Sequence, residues 1–110
     1  MAARATAFLG ANEGLLLTDL VLAECVYLLE SFYEVERSRV AMLMRSALAL
    51  PTIQTVDAAS LLRALEVYEL ARLDFAEAYL VAQAEASGVN EIVSLDRPID
   101  RIESVTRHEP

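Results

Sequence analysis

The chain of 110 residues is poor in cysteine. Cys25 stands alone, so no disulfide can form within the chain, which fits a reducing compartment. A long apolar run is missing too: the longest, Leu15 to Leu29, is broken by Thr18, Asp19 and Glu24, which excludes a membrane span and a signal peptide. Cationic charge is scarce. Nine Lys and Arg against 17 Asp and Glu leave a formal net charge of −8, whose average field repels nucleic acid. A nucleic-acid substrate therefore needs a local site, made by a bound metal or a patch of arginine. Aromatic and basic residues do not alternate, so no base-stacking surface is legible. There is no internal repeat, low-complexity tract or linker, and with 55% hydrophobic residues one core can be buried. A single cytoplasmic domain over 1–110 is expected.

In chain order, Met1 to Leu9 favours helix from its first residue, and Gly10, Asn12 and Gly14 end it. Leu15 to Leu17 is a short strand candidate, and Thr18 can cap a helix running to about Tyr33. Within that helix Glu24 shares an apolar stripe with Leu20, Val21, Tyr27 and Leu28. An acid there either carries chemistry or snorkels to the rim. Glu34 to Leu50 is amphipathic, with Val40, Leu43, Met44 and Ala47 inward and Glu36, Arg37, Arg39 and Arg45 outward. Pro51 stops it. Thr52 to Val56 has a strand's alternation, and Asp57 is an N-cap for a helix over Ala58 to Ala71 with Leu61, Leu62, Leu65 and Tyr68 in the core. A helix follows to Gly88, then a β-branched run Glu91 to Leu95, a short helix at Pro98 to Ile102 and a tail. Strands alternating with helices imply an α/β fold, a parallel sheet flanked by helices with its ligand beyond the carboxyl ends of the strands.

Two places put acids where apolar side chains are usual. Asp74 and Glu77 open the last long helix, and Asp96 directly follows the last strand. Carboxylates at a helix start and a strand end can converge, and without a cationic partner they repel unless protonated or bridged by a cation. A hard divalent metal is the sharp expectation. The competing expectation is a capping box, since Asp74 and Glu77 stand at D-x-x-E spacing.

The segments TDLVLAECVYLLESFY, LDFAEAYLVAQAEASG and IVSLDRPIDRI, in this order, resemble the PIN domain and specifically the VapC-type toxins of bacterial toxin–antitoxin pairs. The resemblance implies a metal-dependent endoribonuclease that hydrolyses RNA phosphodiesters with acids around Mg²⁺ or Mn²⁺. By position Glu24 matches the family's second acid, Glu77 its third, with Glu in place of Asp, and Asp96 its fourth. Asp74 is the alternative third ligand. Asp100 and Thr18 are candidates beside the metal, Thr18 or Asp19 for placing the scissile phosphate, and Arg97 and Arg101 for the RNA backbone. The implied partners are a small antitoxin protein that inserts into the acidic groove and a second copy of the chain.

Family members begin with a strand ending in Asp-Thr-Asn that supplies the first acid. No such segment is found here, so a truncated PIN-like domain lacking that strand is expected. Two outcomes stay open: a nuclease whose start lies upstream, or an inactive remnant that still binds antitoxin or dimerises.

Overall fold

The computed structural model describes residue 4 and residues 14–110; apart from Arg4, the helix expected over Met1 to Leu9 and its stop at Gly10 and Asn12 lie outside the described residues. Strand β1 (Leu15–Leu16) leads into helix α1 (Asp19–Ser31). Thr18 starts that helix as expected, its hydroxyl oxygen accepting the Val21 N–H at 3.2 Å. One side of α1 carries Leu22 and Val26 into the core, four residues and so about one turn apart. The apolar stripe around Glu24 lies on the other side. Leu20 is 75% exposed, Tyr27 71% and Leu28 48%, which corrects the expectation that this stripe packs inward. Leu28 sits two residues past buried Val26, more than half a turn round the helix.

Helix α2 (Arg37–Leu48) follows a bend in which Glu34 takes a φ of 53°. It buries Val40 and Ala41. Arg37 and Arg45, expected to face outward, are half-buried: Arg37 donates to the backbone oxygens of Tyr68 and Leu73, and Arg45 pairs with Glu69 at 2.7 Å. Strand β2 (Ile53–Gln54) runs parallel to β1, Leu15 beside Ile53 and Leu16 beside Gln54.

Asp57 caps helix α3 (Ala58–Leu70) as expected, accepting the Ser60 N–H at 3.1 Å and the Ser60 hydroxyl at 2.6 Å. Its buried face is Leu61, Ala64, Leu65, Val67 and Tyr68, while Leu62 lies outside it, corrected from the core. A tight turn with Arg72 at φ 57° reverses the chain into helix α4 (Phe75–Ser87). Ala78, Val81, Ala82 and Ala84 line the buried side of α4, and small side chains there let α3 and α4 form the most extensive helix pair. Gly88 ends α4 at φ 75°, a left-handed position that favours glycine.

Strand β3 (Glu91–Val93) buries Ile92, a 3₁₀ turn (Arg97–Arg101) buries Ile99, and the segment expected to be a tail is strand β4 (Thr106–His108), parallel to β3. The architecture is the expected α/β one, with four α-helices and short parallel strands among the described residues. Those strands form two separate ladders, β1 with β2 and β3 with β4, where a single sheet was expected.

Candidate active site

Alternation along β3 turns Ile92 inward, Val93 outward and Ser94 inward. An inward hydroxyl needs partners. Ser94 Oγ donates to Glu77 Oε2 at 2.9 Å and accepts the Asp96 N–H at 3.0 Å. One buried serine thus links the first turn of α4 to the residue beyond the carboxyl end of β3. Sequence reasoning passed over Ser94, although a polar residue at an inward position of an otherwise apolar strand was the available signal.

The capping box is not formed. Asp74 precedes α4 as an exposed N-cap without a side-chain cap bond, and Glu77 is engaged by Ser94. Asp96 is half-buried and opens the 3₁₀ turn, its carbonyl accepting the Ile99 N–H at 3.2 Å.

Glu24 is exposed, in a shallow groove on the outer side of α1 between Leu20, Tyr27 and Leu28. The described residues do not gather Glu24 with Glu77 and Asp96 into a group close enough to hold a metal ion, nor any other three of Asp, Glu, His and Cys. No ion pair among the described residues engages Glu24, Glu77 or Asp96.

The remaining candidates have structural partners. Thr18 is the cap of α1. Asp19 lies beside it, accepting the Leu20 N–H through Oδ1 at 3.0 Å and the Tyr79 hydroxyl through Oδ2. The Tyr79 bond holds the Asp19 carboxyl below its ordinary value, and the same bond pushes the Tyr79 phenol up to about 12. These two residues line a cleft of about 330 Å³ with Leu17, Asp57 and Gln83. Asp100 is held by the fork of Arg107, Nε and Nη2 donating at 2.8 and 3.1 Å, and that guanidinium keeps its carboxyl low. Arg101 donates to the Pro98 carbonyl at 3.0 Å, and Arg97 stands 83% exposed with Glu109 3.9 Å away.

A family model described as PIN domain matches residues 1–105. The chain belongs to the PIN domain family. No curated protein and no solved structure matches it. PIN domains are in general metal-dependent nucleases acting on RNA or DNA, so the coarse activity of this fold is nuclease chemistry supported by divalent ions.

In donor chemistry the PIN domain's own residues fit such an ion. Glu77 and Asp96 are carboxylates without an ion pair among the described residues; Ser94 bonds the carboxylate of Glu77 and the backbone N–H of Asp96, and the exposed Arg97 follows. All-oxygen donors of this kind suit Mg²⁺ or Mn²⁺ better than a softer metal.

Proposed function

We propose that this PIN domain is a VapC-type toxin, a cytoplasmic Mg²⁺- or Mn²⁺-dependent endoribonuclease that hydrolyses RNA phosphodiesters. The observation that carries the proposal is the Ser94 link between Glu77 and Asp96 at the carboxyl end of β3. Glu77 and Asp96 would hold the ion, while Glu24, which matches the family's second acid by position, stands apart from them on the outer side of α1. A divalent ion bound there supplies charge neutralisation at a phosphoryl oxygen and a lowered pKa for an attacking water. The Asp96 carboxylate would hold the ion or orient that water, and Arg97 offers an exposed cation to the RNA backbone against the net negative field of the chain.

The antitoxin partner fits the outer side of α1. Leu20, Tyr27 and Leu28 present an apolar groove with Glu24 in it, a surface suited to an apolar helix bearing a basic residue. The same stripe supports a second reading, an inactive PIN remnant that binds antitoxin or pairs with a second copy. This reading is favoured by Glu24 standing apart from Glu77 and Asp96.

Thermal unfolding with and without Mn²⁺, together with RNA cleavage, tests the first reading. A rise in Tm with Mn²⁺ that is lost in Asp96→Asn and Glu77→Gln, and cleavage abolished by Asp96→Asn, are expected. Asp96→Asn itself leaves metal-free stability unchanged or raised, because Asp96 makes no ion pair among the described residues and the change removes one negative charge from a chain of net charge −8. Melting indifferent to metal, with RNA intact, supports the remnant.

A further inference from the structure

We propose that the cleft between the end of α1 and the start of α4 binds an alkyl chain tipped with a guanidinium or ammonium group, held by Glu30, Asp74 and the buried hydroxyl of Tyr68. This site goes beyond the nuclease reading and stands without it. The cleft encloses about 440 Å³, and its walls include Ala23 and Val26 of α1 and Phe75 and Ala76 of α4, with Glu30 and Asp74 also lining it. No ion pair among the described residues engages either carboxylate. Asp74 stands at the N-cap of α4 yet makes no side-chain cap bond.

The Tyr68 hydroxyl singles out this pair of acids. Tyr68 is 0% exposed, and its hydroxyl makes no hydrogen bond of good geometry among the described residues, an omission that native folds rarely leave uncompensated. Its ring packs edge-on against Phe75 of the cleft wall, with centroids 6.2 Å apart. Burial pushes the phenol up first, and the Glu30 and Asp74 carboxylates push it further against the opposing effect of Arg37, which places the hydroxyl beside the two acids of the cleft. Arg37 lies over the ring at 4.3 Å, but its guanidinium is committed to the Tyr68 and Leu73 carbonyl oxygens. A cationic head with several N–H donors satisfies all three groups, donating to both carboxylates and to the phenol oxygen while its alkyl stem lies along Ala23, Val26 and Phe75. A bare metal ion is the poorer match, because two carboxylates and a neutral phenol leave a hard cation short of oxygen ligands.

The test is NMR titration of the full chain, followed at the Tyr68 ring and the Ala23 and Val26 methyl signals. The probes are butylguanidinium, spermidine, an alanine pentapeptide with arginine at its centre, and the uncharged butylurea. Saturable shifts with butylguanidinium and none with butylurea are expected. Tyr68→Phe should weaken butylguanidinium binding about three- to tenfold, and Glu30→Gln by more than about tenfold. Glu91→Gln, which removes an exposed acid on β3, should leave it unchanged. Tighter binding of the peptide than of spermidine assigns the cleft to a basic side chain of a protein partner, and the reverse order assigns it to a free polyamine; both support the site. Butylurea binding as well as butylguanidinium, no saturable shift with any cation, or wild-type affinity in either Tyr68→Phe or Glu30→Gln would overturn the inference.

Discussion

Ser94 lies 2.9 Å from the Glu77 carboxylate with its hydroxyl donating, and its oxygen also receives the Asp96 N–H. Glu77 is thereby fixed from a strand seventeen residues later in the chain. Ser94→Ala removes both bonds at a buried position and should cost about 1–2 kcal/mol in urea unfolding. It should also reduce the rise in Tm with Mn²⁺, whereas Ser94→Thr, which keeps the hydroxyl, should preserve it. An undiminished metal response in Ser94→Ala would mean that the two carboxylates hold their places unaided.

The two sides of α1 separate scaffold from surface. Leu22 is 0% exposed and Leu28 48%. Leu22→Ala is expected to destabilise by about 2–5 kcal/mol, and Leu28→Ala by less than about 1 kcal/mol. Parallel denaturant melts decide the point. Similar losses would return Leu28 to the core.

Arg37 closes the corner between α3 and α4. Its Nη1 donates to the Tyr68 and Leu73 carbonyl oxygens at 2.8 and 2.6 Å, and its guanidinium carbon lies 4.3 Å from the centroid of the Tyr68 ring. Arg37→Ala should lower stability by about 2–3 kcal/mol, and Arg37→Lys should recover only part of it, since an ammonium cannot reproduce the planar fork. Tyr68→Phe should be neutral or stabilising. The Tyr68 hydroxyl is buried and makes no hydrogen bond of good geometry among the described residues; burial first, and then the Glu30 carboxylate near it, push its pKa up.

Acid should weaken the α3–α4 pair through Glu85. Arg63 holds the Glu85 carboxyl below its ordinary value of 4.5, with Nε donating at 2.7 Å, and the Ser104 hydroxyl at 2.7 Å adds to the effect. A folded-state pKa below the unfolded one means that this stability is present above the unfolded value and is lost as pH falls through the folded one. Both side chains are partly exposed, so the amount is about 0.5–1 kcal/mol. Urea midpoints taken from about pH 7 to about pH 3 should fall less steeply in Arg63→Ala than in wild type. Parallel slopes would show that the pair contributes nothing.

Much of the local structure was legible. Thr18 and Asp57 are caps because a short side-chain oxygen beside an apolar periodic run has one favourable partner, the backbone N–H three residues on. Gly88 ends α4 for an equally local reason, its positive φ. Facing was less legible. On α1 two apolar stripes compete, and the one with the larger side chains, Leu20, Tyr27 and Leu28, is the outer one. Arg37 and Arg45 read as solvated because their acceptors, the carbonyls at the α3–α4 turn and Glu69, lie twenty-four to thirty-six residues away. Strand β4 escaped notice since a three-residue segment, Thr106–His108, is held by its neighbour β3 and by nothing in its own composition.

By itself the sequence determined where helices begin and end, that the strands would be parallel, and which family the chain resembles, because caps, breakers and apolar spacing act within a few residues. Only the tertiary structure decided that Ser94 joins Glu77 to Asp96, that Tyr79 ties α4 to Asp19, and that Glu24 faces outward. Those relations depend on the packing of α1, α4 and β3 against one another, and residue spacing along a single element does not encode them.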